Sequence, residues 1–169
     1  MIADPRSPVS RKPAGGVAAV ELSAATNILE YDFGDDEAQC QHLRFADPKA
    51  VMQCRLLEER SSFVETLSAD CASTAVTHTL KLVADRNLAE AWCGRDFISE
   101  MVCAGAVAVV TLADGRRLAV GISRKFGLEQ PLRLKSLKVD SGRCAVDQPT
   151  VEMVLESADT AFAAALNED

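Results

Sequence analysis

The sequence predicts an α+β fold that is mainly β: an antiparallel β-sandwich or barrel with one flanking helix at about residues 87–103. Three observations carry this. Short apolar runs with period-two alternation recur through the 169-residue chain. They sit in clusters instead of alternating with helices, and one segment alone has helical spacing behind a capping residue. Length allows a single β-rich domain, expected over residues 17–169, behind a flexible N-terminal arm over residues 1–16 that is rich in Pro, Ser, Gly and basic groups. A hydrophobic share of 48% supplies a core without staples, and aromatics at 5% leave that core to Val, Leu, Ala, Ile and Met.

The first strand is expected from Val17 to Leu22. In the next, Leu29, Tyr31 and Phe33 alternate with Ile28, Glu30 and Asp32, the pattern of a half-buried strand. Gly34 to Glu37 forms a polar turn, and Asp47-Pro48 marks another boundary. Met52, Cys54 and Leu56 share one face of a segment that reads as a strand or as a short helix. Phe63 to Leu67 and Thr74 to Ala84 form a hairpin across a small polar loop, with Val76, His78, Leu80 and Leu82 on one face. Asn87-Leu88-Ala89-Glu90 has the form of a capping box. The helix behind it would turn Leu88, Ala91, Trp92, Ile98 and Val102 to the core, with Gly94 kinking or splitting it. Ala106 to Leu112 and Arg117 to Ser123, joined through Asp114-Gly115, give the clearest hairpin signal. Leu132 and Leu134, then Leu137 and Val139, form an apolar face that slips by one residue, which predicts a bulge near Ser136. Val151, Met153 and Leu155 alternate with Glu152 and Glu156 in a last strand. The Ala-rich end, residues 158–169, is a short helix or a tail, and the sum is roughly eight strands.

Composition restricts function. No apolar run approaches the ~20 residues that span a bilayer, so no membrane partner is expected. Pro5, Pro8 and Pro13 ahead of the short run Gly15 to Val20 make a poor signal peptide. The net charge of −7 comes without a basic stripe, so stable nucleic-acid binding is not expected. The six cysteines are scattered without a C-x-x-C pair, which predicts reduced, mostly buried thiols.

Each candidate for chemistry is met by a plainer reading. Cys40, His42 and Cys54 offer three zinc donors at no familiar spacing and without an evident fourth, so an incidental thiol beside a polar loop is preferred. Glu30, Asp32, Asp35, Asp36 and Glu37 could bind calcium, yet their spacing is not that of an EF-hand, and a solvated loop is preferred. Cys93 stands beside Arg95 without a histidine base and reads as a buried structural thiol. His78 on an apolar strand face reads as a core or interface histidine with one hydrogen-bond partner. No nucleophile elbow, phosphate loop or zinc-protease motif is present, so no catalytic residue, cofactor or metal is expected. Arg116, Arg117, Arg124, Lys125, Arg133, Lys135 and Lys138 make the second half locally basic. One reading is a polar sheet face. The other is self-association, with Arg116, Arg117, Arg124 and Lys125 docking on Glu30, Asp32, Asp35 and Asp36 of a neighbouring copy.

From Phe63 to Ala158 the order is long hairpin, helix, and a strand reading Ala106-Val107-Ala108-Val109-Val110. The Ala113-Asp114-Gly115 turn follows, then a return to Val120-Gly121, then Pro131-Leu132-Arg133-Leu134 and a final amphipathic strand. This order resembles small tail-structure proteins of Bacteroides-type prophages, and it covers a little over half of the chain. The resemblance implies a fold similar to phage tail tube and type VI secretion tube proteins: two packed antiparallel sheets with a flanking helix, assembled as hexameric rings that stack. It further implies a structural role in a virion tail assembled in the bacterial cytoplasm, with copies of itself and other tail proteins as partners and no catalysis. An acidic subunit would suit a conduit through which DNA slides. The alternative is a solitary barrel or sandwich module that binds a small ligand or protein partner.

Overall fold

The computed structural model describes residues 15–70 and 73–167. The arm expected over residues 1–16 lies outside the described residues except for Gly15 and Gly16. Twelve strands form three sheets among the described residues, with no closed barrel, so the sandwich is the form realised.

The first sheet has six strands in the order β3-β12-β9-β8-β1-β5. These are β1 (Val17–Ala24), β3 (Gln39–Cys40), β5 (Met52–Cys54), β8 (Ala106–Leu112), β9 (Arg117–Val120) and β12 (Ala164–Leu166). At its centre β8 pairs antiparallel with β1 on one side and β9 on the other. The β8–β9 hairpin turns at Asp114-Gly115 as the dipeptide predicts. There the Asp114 carboxylate accepts the Arg116 amide at 3.0 Å, and the Leu112 amide donates to the Arg116 carbonyl at 2.8 Å.

The second sheet has four strands in the order β10-β11-β7-β6, antiparallel throughout. They are β6 (Ser62–Asp70), β7 (Ser73–Asp85), β10 (Arg133–Asp140) and β11 (Thr150–Asp159). The β6–β7 ladder continues to Asp70 opposite Ser73, so most of the expected loop is strand. Register slips between Leu134 and Ser136, where the apolar face predicted a bulge.

The two sheets share one core. Val20 and Leu22 of β1, Ala108 and Val110 of β8 and Val120 of β9 face Leu80 and Leu82 of β7 and Met153 and Leu155 of β11. Alternation writes this core: the even positions of β7 from Val76 to Ala84 and the odd positions of β11 from Val151 to Ser157 are buried. Besides the covalent chain, a pair of backbone hydrogen bonds ties one sheet to the approach of the other. The Ala106 amide donates to the Leu132 carbonyl at 2.8 Å, and the Leu132 amide donates back at 2.9 Å.

The third sheet is a hairpin of β2 (Ile28–Asp32) and β4 (His42–Phe45). With Ile28 and Leu43 it covers the other face of the six-stranded sheet, over Val107, Ala119 and Ala164. This reverses the expected facing of β2: Leu29 is 60% exposed and Ile28 packs inward, although Phe33 past its end is buried.

The expected helix is divided. A 3-10 turn spans Glu90–Cys93, and α1 (Arg95–Cys103) follows after Gly94, whose extended backbone splits the two as predicted. The capping box does not form. Asp85 fills that role instead, its carboxylate accepting the Asn87 amide at 2.8 Å and its carbonyl the Ala89 amide at 3.0 Å. The core face shifts accordingly to Ala89, Trp92 and Met101, while Leu88 and Val102 are exposed. The Ala-rich end is neither helix nor tail: chain 160–163 crosses from the four-stranded to the six-stranded sheet, and β12 inserts between β9 and β3.

Candidate functional site

The four-stranded sheet ends on two long strands, β6 of nine residues and β10 of eight, and neither contains a buried residue. Their outer backbone groups meet no strand among the described residues. Such edges are templates for pairing with another chain. The two differ in charge. β6 carries Glu65 and Asp70 and no basic residue, whereas β10 carries Arg133, Lys135 and Lys138 against Asp140. With four antiparallel strands the two outer ones run in opposite directions. A copy placed head to tail therefore sets its β10 antiparallel to β6.

Of the residues expected to associate between copies, Arg124 and Asp35 meet inside one chain, and Arg116 and Arg117 pair with other acids of the same chain. The Arg124 guanidinium donates to the Asp35 carbonyl at 2.7 Å. Arg117 reaches Glu21 at 3.0 Å, and Arg116 reaches Asp114 at 2.7 Å. The carboxylates of the acidic turn are also occupied locally: Asp32 accepts the Gly34 amide at 2.8 Å, and Asp36 accepts the Ala38 amide at 2.9 Å. The basic and acidic groups converge because the loop after β9 folds over the turn after β2, a contact 89 residues apart in sequence. Glu30 lies 3.8 Å from His42, both well exposed. This turn belongs to the layer over the six-stranded sheet. The outward face of the four-stranded sheet instead alternates acid and base, as in Lys81–Glu152 at 3.1 Å and Lys135–Glu156 at 3.4 Å.

The zinc donors are scattered. Cys40 on β3 and Cys54 on β5 occupy opposite margins of the six-stranded sheet. Five strand spacings of ~4.8 Å put them on the order of 24 Å apart. No cluster of three or more metal-ligating side chains occurs among the described residues. Burial raises the Cys40 thiol pKa, with a smaller contribution from Asp32 and an opposing hydrogen bond to the His42 backbone. Burial pushes Cys54 up to about 12. Cys93, Cys103 and Cys144 are exposed, contrary to the expected burial. At Cys93 the neighbouring Trp92 takes the interior position in the 3-10 turn and turns the thiol outward.

His78 is where sequence reading missed most. It is buried, as its strand face predicted, but it has several partners instead of one. Nε2 lies 3.1 Å from the Ala161 carbonyl and 3.4 Å from Glu65 Oε1, and Nδ1 lies 3.4 Å from Ser157 Oγ. Ser, His and Glu in a row resemble a nucleophile, base and orienting acid, so access decides what they do. The adjoining cavity measures about 10 Å³. That is at the limit for one water and excludes any substrate. The shorter bond, to Ala161, directs Nε2–H to the crossover carbonyl. Glu65 meanwhile accepts the Ala163 amide at 2.5 Å. The cluster is a clasp on the chain that leads into β12. Histidine on an apolar strand face hinted at it; the partners, 79 and 83 residues away, were not legible.

No protein-family model matches this chain, and no curated protein matches it in sequence.

Proposed function

We propose that the chain is a structural subunit that assembles with copies of itself into rings or stacks, as the subunits of phage-like tails do. Its working surfaces are the β6 and β10 edges. The observation that carries this reading is the pair of long, uncovered edges of opposite charge on one antiparallel sheet. Pairing β6 of one copy with β10 of the next joins unlike charges, whereas β6–β6 or β10–β10 pairing joins like charges. The interface is therefore heterologous and closes only as a ring or continues as a filament. Such closure also removes the edges that would otherwise invite aggregation. Tail neighbours would cover the ends of the assembly, and its place would be a virion tail assembled in the bacterial cytoplasm.

Light scattering on chromatographed protein tests this. Wild type is expected at a mass several times 18.1 kDa. Reversing the β10 edge with Lys135→Glu and Lys138→Glu is expected to lower the assembled fraction about tenfold while the monomer stays folded. A wild type that stays monomeric at high concentration overturns the reading.

A further inference from the structure

Both margins of the four-stranded sheet carry apolar side chains on the face turned to the core. On β6, Phe63, Glu65 and Leu67 stand opposite Leu80, His78 and Val76 of β7, which are buried, so all three lie on the core side. On β10, Leu134, Leu137 and Val139 stand opposite buried Leu155, Met153 and Val151. The core covers only part of each set. Phe63, Leu134 and Leu137 pack against it, whereas Leu67 is 51% and Val139 45% exposed, although Val76 and Val151 beside them are buried.

Paired strands keep opposed residues on one face, and a slip of one residue turns the whole strand over. Pairing β6 with β10 of a second copy therefore brings core face to core face in alternate registers only. One of these registers suits both faces. It sets Ala69 opposite Leu134 and Leu67 opposite Leu137 on the core side, and Asp70 opposite Arg133 on the outer side. From the first apolar pair to the second, β6 advances two residues and β10 three. The bulge between Leu134 and Ser136 supplies that extra residue, as it does against β11. Val139 then falls opposite Glu65, whose carboxylate is engaged with His78 and the Ala163 amide.

We propose that the interface between copies is an extension of the core, with Leu67 of one copy seated against Leu137 of the next and Asp70 paired with Arg133 on the other face. The occupant is a second copy because the acidic margin and the basic margin belong to the same sheet. This seam rests on the edge-pairing reading above and adds its face and register. Val64 supplies the control: it is also 51% exposed on β6, but on the outer face. Light scattering across a dilution series gives the concentration at which half of the chain is assembled. Leu67→Asn is expected to raise it about tenfold and Val64→Asn by less than about twofold, with far-UV circular dichroism unchanged. Asp70→Arg and Arg133→Asp are each expected to weaken assembly, and the double variant to return within about threefold of wild type, a recovery that misfolding does not produce. If wild type assembles, equal effects of Leu67→Asn and Val64→Asn, or a double variant no better than its parents, overturn the seam alone. A wild type that stays monomeric overturns edge pairing, and the seam with it.

Discussion

Gly121 and Gly115 allow the joint between the sheets to be weighed. Both have positive φ, 87° and 90°. A Cβ on Gly115 would meet nothing within 4 Å, whereas a Cβ on Gly121 would lie 2.6 Å from the Ala106 carbonyl oxygen and 3.0 Å from the Leu132 amide. Those are the acceptor and donor of one of the two reciprocal hydrogen bonds that connect β8 to the start of β10. Gly115→Ala therefore costs the left-handed strain alone, about 1 kcal/mol. Gly121→Ala adds displacement of that one hydrogen bond, which strands a buried donor and a buried acceptor at about 1 kcal/mol each, for a total of about 3 kcal/mol. Urea unfolding followed by the fluorescence of the single, buried Trp92 reads both variants. With a slope of about 2 kcal/mol per molar, the midpoint falls about 1.5 M for Gly121→Ala and about 0.5 M for Gly115→Ala. Equal losses would refute the claim that close backbone approach at Gly121 holds the sheets in register.

Further outcomes follow from the same interior. Leu155→Ala, at a fully buried β11 position, is expected to cost 2–5 kcal/mol and lower Tm by about 10 °C in calorimetry. His78→Ala opens the clasp, so hydrogen exchange at residues 164–167 is expected to accelerate at least tenfold while the β8–β9 ladder keeps its protection. Cys54 keeps its proton in the folded chain to about 12, and the unfolded thiol loses it near the ordinary value of 9.0. The folded state thus binds more protons between those values. Stability is unaffected below 9.0 and falls as pH rises above it, by up to about 1.4 kcal/mol per unit, and Cys54→Val is expected to flatten that slope in urea titrations. In native alkylation at pH 8, Cys93, Cys103 and Cys144 are expected to label while Cys40 and Cys54 do not, as peptide mass mapping reads.

The elements legible in the sequence are those whose signal is local. Asp114-Gly115 places the β8–β9 turn, strict alternation places β7 and β11, and the slipped face from Leu132 to Val139 places the bulge. Elements made by distant partners were not legible. β3, β4 and β12 have two to four residues each and exist because a sheet margin or a covering hairpin receives them. β12 is an alanine-rich run with weak strand preference, made a strand by β9 on one side and β3 on the other. The capping box failed because Asp85, two residues earlier, already held the amide of Asn87. The charged groups chosen for self-association were recognised as opposite in sign, but folding joins one basic and one acidic member within one chain, as Arg124 and the Asp35 carbonyl do across 89 positions. The edges of β6 and β10 could not be read at all, since which strands stand at a sheet margin depends on the order of all four.

The most direct measurement is hydrogen exchange by mass spectrometry on dilute and concentrated protein. Edge pairing predicts that amides of residues 62–70 and 133–140 slow together as concentration rises, while β7 and β11, already paired on both sides, do not change. Exchange at both margins that is indifferent to concentration would contradict it.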